Sequence, residues 1–472
     1  MIKARHQPPA FTEDFLGEVM DDLWEGWMRK ADQVLEDEQL VALVYEALVR
    51  RHPQSRTRGR PGTPAEVVLR MLLLKHRRNW SFQVLEWEVR ANLVYRQFTR
   101  VGAGKVPDAK TVGRQAQALG PEVIQKIHVR LVDIARQNEI ATGRRLRVDT
   151  TVVETNIHYP TDSSLLGDGV RVLTRVMHRI TEVAGEAGTK LRDRSRSVKL
   201  RAVEIARASR SKSEPGRQRM QALYGKLLEA SGRVACQAQQ FVNEIASGVK
   251  RASDFSKQAA LEGMQKQLET MLGRVTQVRR QTRARVFGGD THVEGKLLSM
   301  FEPTTEVIRR GKADRPNEFG KMIKVQEAEG QIITDYEVYE KRPADSDLLV
   351  PSIEIHQQRL GRLPDLVAAD AGFYSASGEK AAHELGVKRV SIPNRSSKSV
   401  ERRKLQKKRW FKKGQKWRTG CEGRISVLKR RHGLNRCRYK GDRGMKRWVG
   451  LGVIADNLIN IGRALAAKTD TT

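Results

Sequence analysis

The sequence predicts an α/β protein: a mixed sheet with a helical segment before it and a long all-helical insertion after its first strand. Two observations lead to this class. Short β-like stretches alternate with helix-length segments in residues 141–160 and 286–447, whereas residues 1–140 and about 168–285 carry apolar residues at helical spacing. At 472 residues, the chain is long enough for two to four structural units.

Residues 1–140 are predicted to be short helices joined by basic loops. Thr63 is the expected N-cap of one helix, with Pro64 at the first helical position and Glu66 placed for a capping box. Ser81 and Asp108 are expected to begin two further helices. This pattern fits a helix-turn-helix reader of DNA and an ordinary helical bundle equally well.

The first strand is predicted over Leu146 to Val153. Alternation along it places Asp149 and Thr151 on one face and Val148 and Val152 on the other. Aspartate is depleted in strand interiors, and a buried charge must be compensated, so Asp149 needs an explanation beyond local structure.

A helical insertion, residues 161–285, is expected to follow this strand. It is rich in Ala, Arg, Gln, Glu and Lys, and breaks near Gly185, Pro215 and Gly248 divide it into helix-length blocks. Antiparallel long helices are the simplest interpretation. Its composition indicates no function; we expect it to brace a protein–DNA assembly or to contact flanking DNA.

Strand signals return after the insertion. A hairpin is predicted over 320–325 and 331–339 with its turn at Glu329-Gly330, followed by a helix from Ser346 to about Leu360. A strand leading into Asp370, a helix through Glu384, a strand over 388–392 and a helix carrying Glu422 complete the core. This is the order of an RNase H-like domain, and a C-terminal helix is expected over 448–472.

The charge predicts a polyanionic partner. The chain carries a formal net charge of +33 and a sequence pI near 10.4. Residues 395–447 hold 22 Lys and Arg against three acids. A solvated basic face or a disordered tail is the ordinary explanation of such a run, but Trp410, Phe411 and Trp417 are interleaved with it, which favours contact with phosphates and bases.

Other compositional features exclude several classes of protein. No apolar run approaches the roughly 18 residues of a membrane span, and the N-terminus lacks the apolar block of a secretory signal. Three cysteines, Cys236, Cys421 and Cys437, favour a reducing cytoplasm, and their spacing matches no zinc finger. A soluble cytoplasmic protein is therefore expected.

Three acidic residues form the predicted catalytic and metal-binding set: Asp149, Asp370 and Glu422. Carboxylates on a rigid scaffold can hold two Mg²⁺ ions about 4 Å apart, which activate a nucleophile and stabilise the leaving oxygen of a phosphodiester. Each acid has a simpler explanation. Asp370 precedes Ala371-Gly372 and would suit a turn cap, and Glu422 has basic neighbours and would suit a surface ion pair. Their joint occurrence in this strand order favours catalysis.

The segment around Glu422 resembles DDE-type transposases of bacterial insertion sequences, in particular an ISNCY-like group. Members with the Y-R-E-K signature place Tyr, Arg, Glu and Lys at fixed intervals, and this sequence has Arg418, Glu422 and Lys429 at the last three. Gln415 replaces the tyrosine, a departure that affects the expected contact with the DNA strand end and not the metal site, and Trp410 or Trp417 is expected to take over the stacking or phosphate role. Residues 68–98 and 106–111 also resemble the family's N-terminal domain.

The resemblance implies a transposase that binds the terminal inverted repeats of a mobile element, cleaves DNA with Mg²⁺ (two ions, with Mn²⁺ as a possible substitute) and transfers the freed 3′ end to target DNA. It also implies a homodimer in a synaptic complex with double-stranded DNA, in the bacterial cytoplasm and associated with the nucleoid. The basic and aromatic residues expected to contact DNA are Arg418, Lys429, Trp410, Trp417, Arg424 and Arg430.

Two other functions are compatible with the same sequence. One is an RNase H-like endonuclease or resolvase that cuts DNA without strand transfer. The other is a non-catalytic DNA-binding descendant, against which the intact carboxylates argue. A pre-cut terminal repeat offered with a target plasmid separates the first alternative, because only a transposase yields a joined product.

Overall fold

The structure is a computed structural model, and it describes residues 1–6, 23–51, 53–58, 62–211, 213–309 and 317–469. The chain divides into two compact units. One comprises residues 1–156 and 307–472, and the other comprises residues 157–306. The second unit interrupts the first directly after its first strand.

The N-terminal part of the first unit is helical. Its described helices are α1 (Gly26–Leu35), α2 (Glu38–Val49), α3 (Ala65–Arg78), α4 (Phe82–Ala91), α5 (Leu93–Phe98) and α6 (Ala109–Gln137). Ser81 and Asp108 cap α4 and α6 by accepting hydrogen bonds from backbone N–H groups, as predicted. The prediction of a capping box at Thr63 is wrong. Pro64 is the N-cap of α3 and makes no side-chain cap bond, and Glu66 is buried against Arg70.

The sheet of the first unit is mixed. Its strands are β1 (Arg145–Glu154), β2 (Glu306–Arg309), β3 (Asn317–Glu327), β4 (Ile333–Val338), β5 (Leu366–Ala368) and β6 (Arg389–Ser391), in the order β2-β3-β1-β5-β6 with β4 also on β3. β3 is antiparallel to β1 and β4, while β5 runs parallel to β1 and to β6. The predicted α/β class and strand order are confirmed.

Among the described residues, five further helices belong to this unit. They are α11 (Leu349–Leu360), α12 (Ala376–Glu384), α13 (Val400–Lys407), α14 (Arg409–Arg431) and α15 (Gly441–Thr469). One apolar core contains side chains of the N-terminal helices together with Leu360 and Leu451. The helices before residue 140, expected to form a domain of their own, therefore share their core with the rest of the unit. The C-terminal helix begins at Gly441, seven residues earlier than expected.

Helix α15 is long and apolar enough, by length and composition, to cross a membrane, with a mean hydropathy of 1.2 over its most apolar stretch. However, 78% of that stretch is buried inside the protein, where its side chains pack in the core shared with the N-terminal helices. A buried core helix accounts for this composition.

The second unit consists of helices around its own apolar core. They are α7 (Asp162–Ala184), α8 (Ser195–Ala208), α9 (Glu214–Ala246) and α10 (Phe255–Gly288). The breaks fall where the sequence predicts them. Gly185 ends α7 with a φ of 77°, Pro215 lies in the first turn of α9, and Gly248 follows the end of α9 with a φ of 75°.

Candidate active site

Asp149 and Asp370 lie side by side at the centre of the sheet. In the parallel pair of β1 and β5, the last register partners are Arg147 and Ala368. Asp149 follows two residues later on β1 and Asp370 two residues later, just after the end of β5, so the topology brings together two residues that are 221 positions apart in the sequence. Both line one cavity of about 340 Å³.

Asp149 is held by the strand and by one arginine. Its Oδ1 accepts a hydrogen bond from the backbone N–H of Thr150 at 2.8 Å, and its Oδ2 lies 3.7 Å from Nη1 of Arg418 on α14. The Asp149 side chain is 13% exposed. A largely buried carboxylate requires a neighbouring positive charge. The Arg418 guanidinium provides that charge when neither metal nor DNA is bound.

Asp370 opens a tight turn after β5. Its Oδ1 accepts a hydrogen bond from the N–H of Gly372 at 2.9 Å, at the start of a 3₁₀ turn over Ala371–Phe373. The turn-cap role considered from the sequence is therefore present. It does not compete with a role in the cavity, because Asp370 also lines the cavity beside Asp149.

Glu422 is linked to Asp149 by Arg418. Arg418 Nη2 donates to Glu422 Oε1 at 2.9 Å while its Nη1 faces Asp149, so one guanidinium lies between the two carboxylates. The Glu422 side chain is 58% exposed, and Glu422 is not among the described residues that line the cavity. The surface ion pair considered from the sequence is thus present as well.

Gln415 fixes α14 to the ends of the parallel strands. Its Nε2 donates to the backbone oxygen of Ala369 at 3.2 Å and to the backbone oxygen and the hydroxyl of Ser391. Ala369 immediately precedes Asp370. Gln415 therefore holds α14 next to the turn that carries Asp370.

A buried ionic network lies under α14. Arg147 donates to Glu327 through Nε at 2.9 Å and through Nη2, and its Nη1 donates to the backbone oxygen of Trp417 at 2.6 Å. Arg424 Nη1 donates to both oxygens of Asp456 at 3.0 Å. Burial raises the pKa of Glu327, while the Arg147 guanidinium opposes that rise. The network anchors the helix that carries Glu422.

Arg424 requires a correction to the expected DNA contacts. Its side chain is 8% exposed and points into the network with Asp456 and Glu327. A buried guanidinium that donates to Asp456 and to the side-chain oxygen of Gln331 is not available to a phosphate, so we remove Arg424 from the set.

The remaining expected DNA contacts lie on α14. Trp417 packs against arginines of β1, with the guanidinium carbon of Arg147 4.8 Å from its ring centroid. Trp410 makes an edge-to-face contact with Phe411 at 5.6 Å. Arg430 is exposed, and Lys429 is half-buried. Trp417 therefore has a packing role that the sequence did not indicate.

Sequence reasoning missed one acidic residue of the cavity, Asp345. It lies in a 3₁₀ turn over Asp345–Leu348, before α11, and lines the same cavity as Asp149 and Asp370. Two arginines, Arg309 and Arg342, also line it. The only local signal was an acid just before a predicted helix, which ordinarily indicates a helix start.

The oxygen donors of this site fit a hard divalent cation by their chemistry, because Mg²⁺ prefers carboxylate ligands. In the part of the chain that the structure describes, no three His, Cys, Asp or Glu side chains lie close enough together to hold a metal ion as they stand. Arg418 lies between Asp149 and Glu422. Joint coordination by these two residues therefore requires the guanidinium to leave and Glu422 to turn inward.

Two family models match parts of the chain. Residues 25–117 match a family described as "Transposase domain (DUF772)", and residues 380–461 match one described as "Transposase DDE domain". The first covers most of the N-terminal helices. The second contains Arg418, Glu422 and Lys429 and begins after Asp370. No curated protein and no solved structure matches the chain.

Proposed function

Because the chain is a DDE transposase of the insertion-sequence type, a metal-dependent enzyme of DNA cleavage and transposition with an RNase H-like core, we propose that it binds the terminal inverted repeats of its own mobile element. There it hydrolyses one phosphodiester, and the freed 3′ hydroxyl then attacks a phosphodiester of the target DNA, which joins the element end to the target and releases a 3′ hydroxyl of the target strand. The observation that supports this most is the placement of Asp149 and Asp370 side by side in one cavity, next to the helix that carries Glu422.

In the proposed site, Asp149, Asp370 and Glu422 hold Mg²⁺, with Mn²⁺ as a substitute. Two ions would lower the pKa of an attacking water and stabilise the leaving oxygen. Without metal and DNA, Arg418 compensates the charges of Asp149 and Glu422. When Mg²⁺ binds between these carboxylates, Arg418 moves to a DNA phosphate. Lys429, Arg430 and Trp410 extend the DNA contact along α14.

The basic segment 395–447 is proposed to bind the DNA backbone at the cut. Its net charge of +19 is concentrated on α13, α14 and the residues that follow, near the candidate site. Such a density of cations supplies affinity that depends on phosphate and not on base sequence. The helix-turn-helix alternative for the N-terminal helices then provides the recognition of the terminal repeat.

A homodimer in a synaptic complex is proposed as the working assembly, because two element ends must be processed together. The protein would act in the bacterial cytoplasm, associated with the nucleoid through its charge. We propose that the unit of residues 157–306 braces this assembly or contacts flanking DNA. Loss of that unit without loss of the paired-end complex would exclude the bracing role.

The first test replaces Asp370 by Asn and measures Mg²⁺-dependent cleavage of the DNA that borders the gene. We expect cleavage to fall by at least about a thousandfold, because the metal loses a charged ligand, while DNA affinity stays equal or rises. Asp365→Asn is the matched control, since Asp365 is half-exposed and paired with Lys388 before β5. Unchanged cleavage by the Asp370 variant would remove this residue from the mechanism.

The second measurement addresses the reaction itself. A pre-cut terminal repeat is incubated with a supercoiled plasmid and Mg²⁺, and joined products are resolved on a gel. We expect joined products from the wild-type protein and none from the Asp370→Asn variant. Cleavage of an intact repeat without any joining would instead identify an endonuclease or resolvase.

A further inference from the structure

A basic cleft of about 730 Å³ lies at the edge of the sheet where the parallel strands β1, β5 and β6 begin. The candidate active site lies further along the same strands, since Asp149 follows Arg145 by four residues on β1, or about 13 Å at the rise of a strand. The charged residues that line the cleft are four cations and two acids: Arg144, Arg145, Lys388, Arg389, Glu329 and Asp365. The cleft therefore has a net positive charge.

Two arginines of this cleft are held at a fixed spacing by the sheet. Arg145 on β1 is the register partner of Leu366 on β5, which is in turn the register partner of Arg389 on β6. Register partners in parallel strands point to the same face, so the two arginines share one face and are two strand spacings, or about 10 Å, apart. Leu366 between them packs against α14, because its Cδ1 would lie 3.5 Å from a Cβ at Gly414.

Each of these arginines stacks on a tryptophan of α14. The guanidinium carbon of Arg145 lies 5.1 Å from the ring centroid of Trp417, and that of Arg389 lies 5.9 Å from the ring centroid of Trp410. The tryptophans are seven residues apart, which is two helical turns or about 10.5 Å and matches the spacing of the strands. Stacking orients a guanidinium and leaves the N–H groups in its plane able to donate. Both arginines are exposed, so they present donors to solvent.

Helix α14 separates this surface from the candidate active site. Gln415, Arg418 and Glu422 follow one another at helical spacing and form the flank beside the cavity. Trp410 and Trp417 lie about 120° away around the helix axis, at 100° for each residue. A duplex seated in the cavity lies against the first flank, with α14 between it and the cleft. DNA held at the cleft is therefore a separate segment.

Packing of α14 and surface ion pairs are the ordinary explanations of such cations. Trp417 is already held by the buried Arg147, whose guanidinium carbon lies 4.8 Å from its ring centroid, so packing does not require Arg145. The pair of Lys388 with Asp365 spans 3.0 Å, but the two side chains are 77% and 40% exposed. An exposed pair of this kind contributes little to stability, so its cation can exchange the carboxylate for a phosphate.

We propose that this cleft binds the phosphate backbone of a second DNA duplex, which the same active site does not cut. Three steps of one DNA strand span about 10 Å along the duplex axis, which matches the spacing of Arg145 and Arg389. Contacts with phosphate carry no base information, so the second duplex is bound without sequence preference. The inference rests on the proposed function, in which the protein handles two element ends and a target.

Protection of lysines from acetylation in the full-length, wild-type protein tests the contact. An excess of a short duplex of random sequence is added in EDTA, and acetylation by an N-hydroxysuccinimide ester is quantified by mass spectrometry. We expect acetylation of Lys388 to slow about fivefold or more and that of Lys380 to change less than about twofold, because only the first is covered by DNA. Lys380 on α12 is the matched control, since it is 79% exposed and also pairs with one acid. Equal acetylation of Lys388 with and without DNA would overturn the proposal.

A capture assay tests whether the cleft holds a separate duplex. The protein is bound to an immobilised duplex in EDTA, washed, and offered a labelled second duplex. We expect the double variant Arg145→Gln, Arg389→Gln to retain the second duplex about tenfold less than the wild type, while binding of the first changes less than about twofold because residues 395–447 are intact. Lys380→Gln, the control for lost surface charge, should retain both duplexes. Wild-type retention by the double variant would overturn the proposal, because another surface or a second subunit would then hold that duplex.

These outcomes separate the inference from the proposed function. If the wild type cleaves the DNA that borders its gene while Lys388 stays unprotected, only the inference fails. If Lys388 is protected but the wild type neither cleaves nor joins DNA in Mg²⁺, the proposed function fails and the cleft remains a DNA-binding surface. A lower melting temperature of the double variant, with retention of the second duplex unchanged, would identify packing of α14 as the only role of Arg145 and Arg389.

Discussion

Arg418 is the residue on which the state of the candidate site depends. Its guanidinium lies between Asp149 and Glu422, where it compensates two carboxylates that would otherwise repel each other. A divalent cation and this guanidinium cannot occupy the same position. Binding of metal and movement of Arg418 toward DNA are therefore expected to be coupled.

Replacing Arg418 by Gln should strengthen metal binding and weaken cleavage. Removal of a positive charge near the carboxylates should raise the Mn²⁺ affinity of the DNA-free protein about three- to tenfold, because a competing cation is lost. Cleavage should fall, since the proposed phosphate contact is lost as well. Arg430→Gln, on the same helix but exposed, should leave the Mn²⁺ affinity unchanged. Weaker Mn²⁺ binding by the Arg418 variant would contradict the competition.

At the scale of elements, α14 is anchored by the network beneath it. Arg424→Met leaves Asp456 buried without the guanidinium nitrogen that donates to both of its oxygens. We therefore expect a loss of about 3 to 5 kcal/mol in the free energy of unfolding. Urea denaturation measures this loss, and Arg430→Met is the matched control with an expected change below about 0.5 kcal/mol. Equal stability of the two variants would show that the network does not hold the helix.

Helix α3 carries a buried lysine surrounded by aromatic rings. Lys75 is 2% exposed, and its Nζ lies 4.7 to 5.2 Å from the ring centroids of Phe82, Tyr439 and Trp448. Burial and, to a smaller extent, the nearby Arg438 lower its pKa from the ordinary 10.5 to about 7. The folded protein therefore binds fewer protons at this site than the unfolded chain does between these two pH values.

The free energy of unfolding should consequently rise with pH between about 7 and 10.5. Lys75→Met keeps the volume of the side chain and should abolish this part of the slope, with a gain of up to about 4 kcal/mol at pH 7, reduced by the lost cation–π contacts. Urea denaturation at pH 7 and pH 9 measures both effects. Lys110→Met, an exposed control, should keep the wild-type slope, and a wild-type slope in the Lys75 variant would refute the assignment.

At the scale of the whole molecule, the net charge of +33 determines how the protein meets DNA. Affinity for non-specific duplex should fall steeply with salt, because each neutralised phosphate releases counterions. Replacing the exposed Lys412, Lys413 and Lys416 of α14 by Gln should reduce the slope of log K against log salt by about 0.9 for each residue that contacts a phosphate. Filter binding between 50 and 200 mM salt measures this slope. An unchanged slope would show that these three lysines do not contact the DNA.

Much of the secondary structure could be predicted because it depends on neighbours in the sequence. Apolar spacing, Ser81 and Asp108 as caps, and Gly185 and Pro215 as breaks all act within a few residues. The Thr63 capping box failed because Glu66 is drawn into a buried ion pair with Arg70, which lies in the core. A contact of that kind depends on how helices pack, and local patterns do not encode it.

The sequence by itself determined the strand order, the position of the helical insertion, the basic stretch and the resemblance that pointed to Asp149, Asp370 and Glu422. Only the tertiary structure decided what surrounds each of them, because most of the relevant partners are far apart in the chain, from 24 residues for Gln415 and Ser391 to 269 for Asp149 and Arg418, and meet only when the sheet and helices pack. That packing buried Arg424, brought Gln415 to the backbone oxygens of Ala369 and Ser391, placed Arg418 between two carboxylates and brought Asp345 into the cavity.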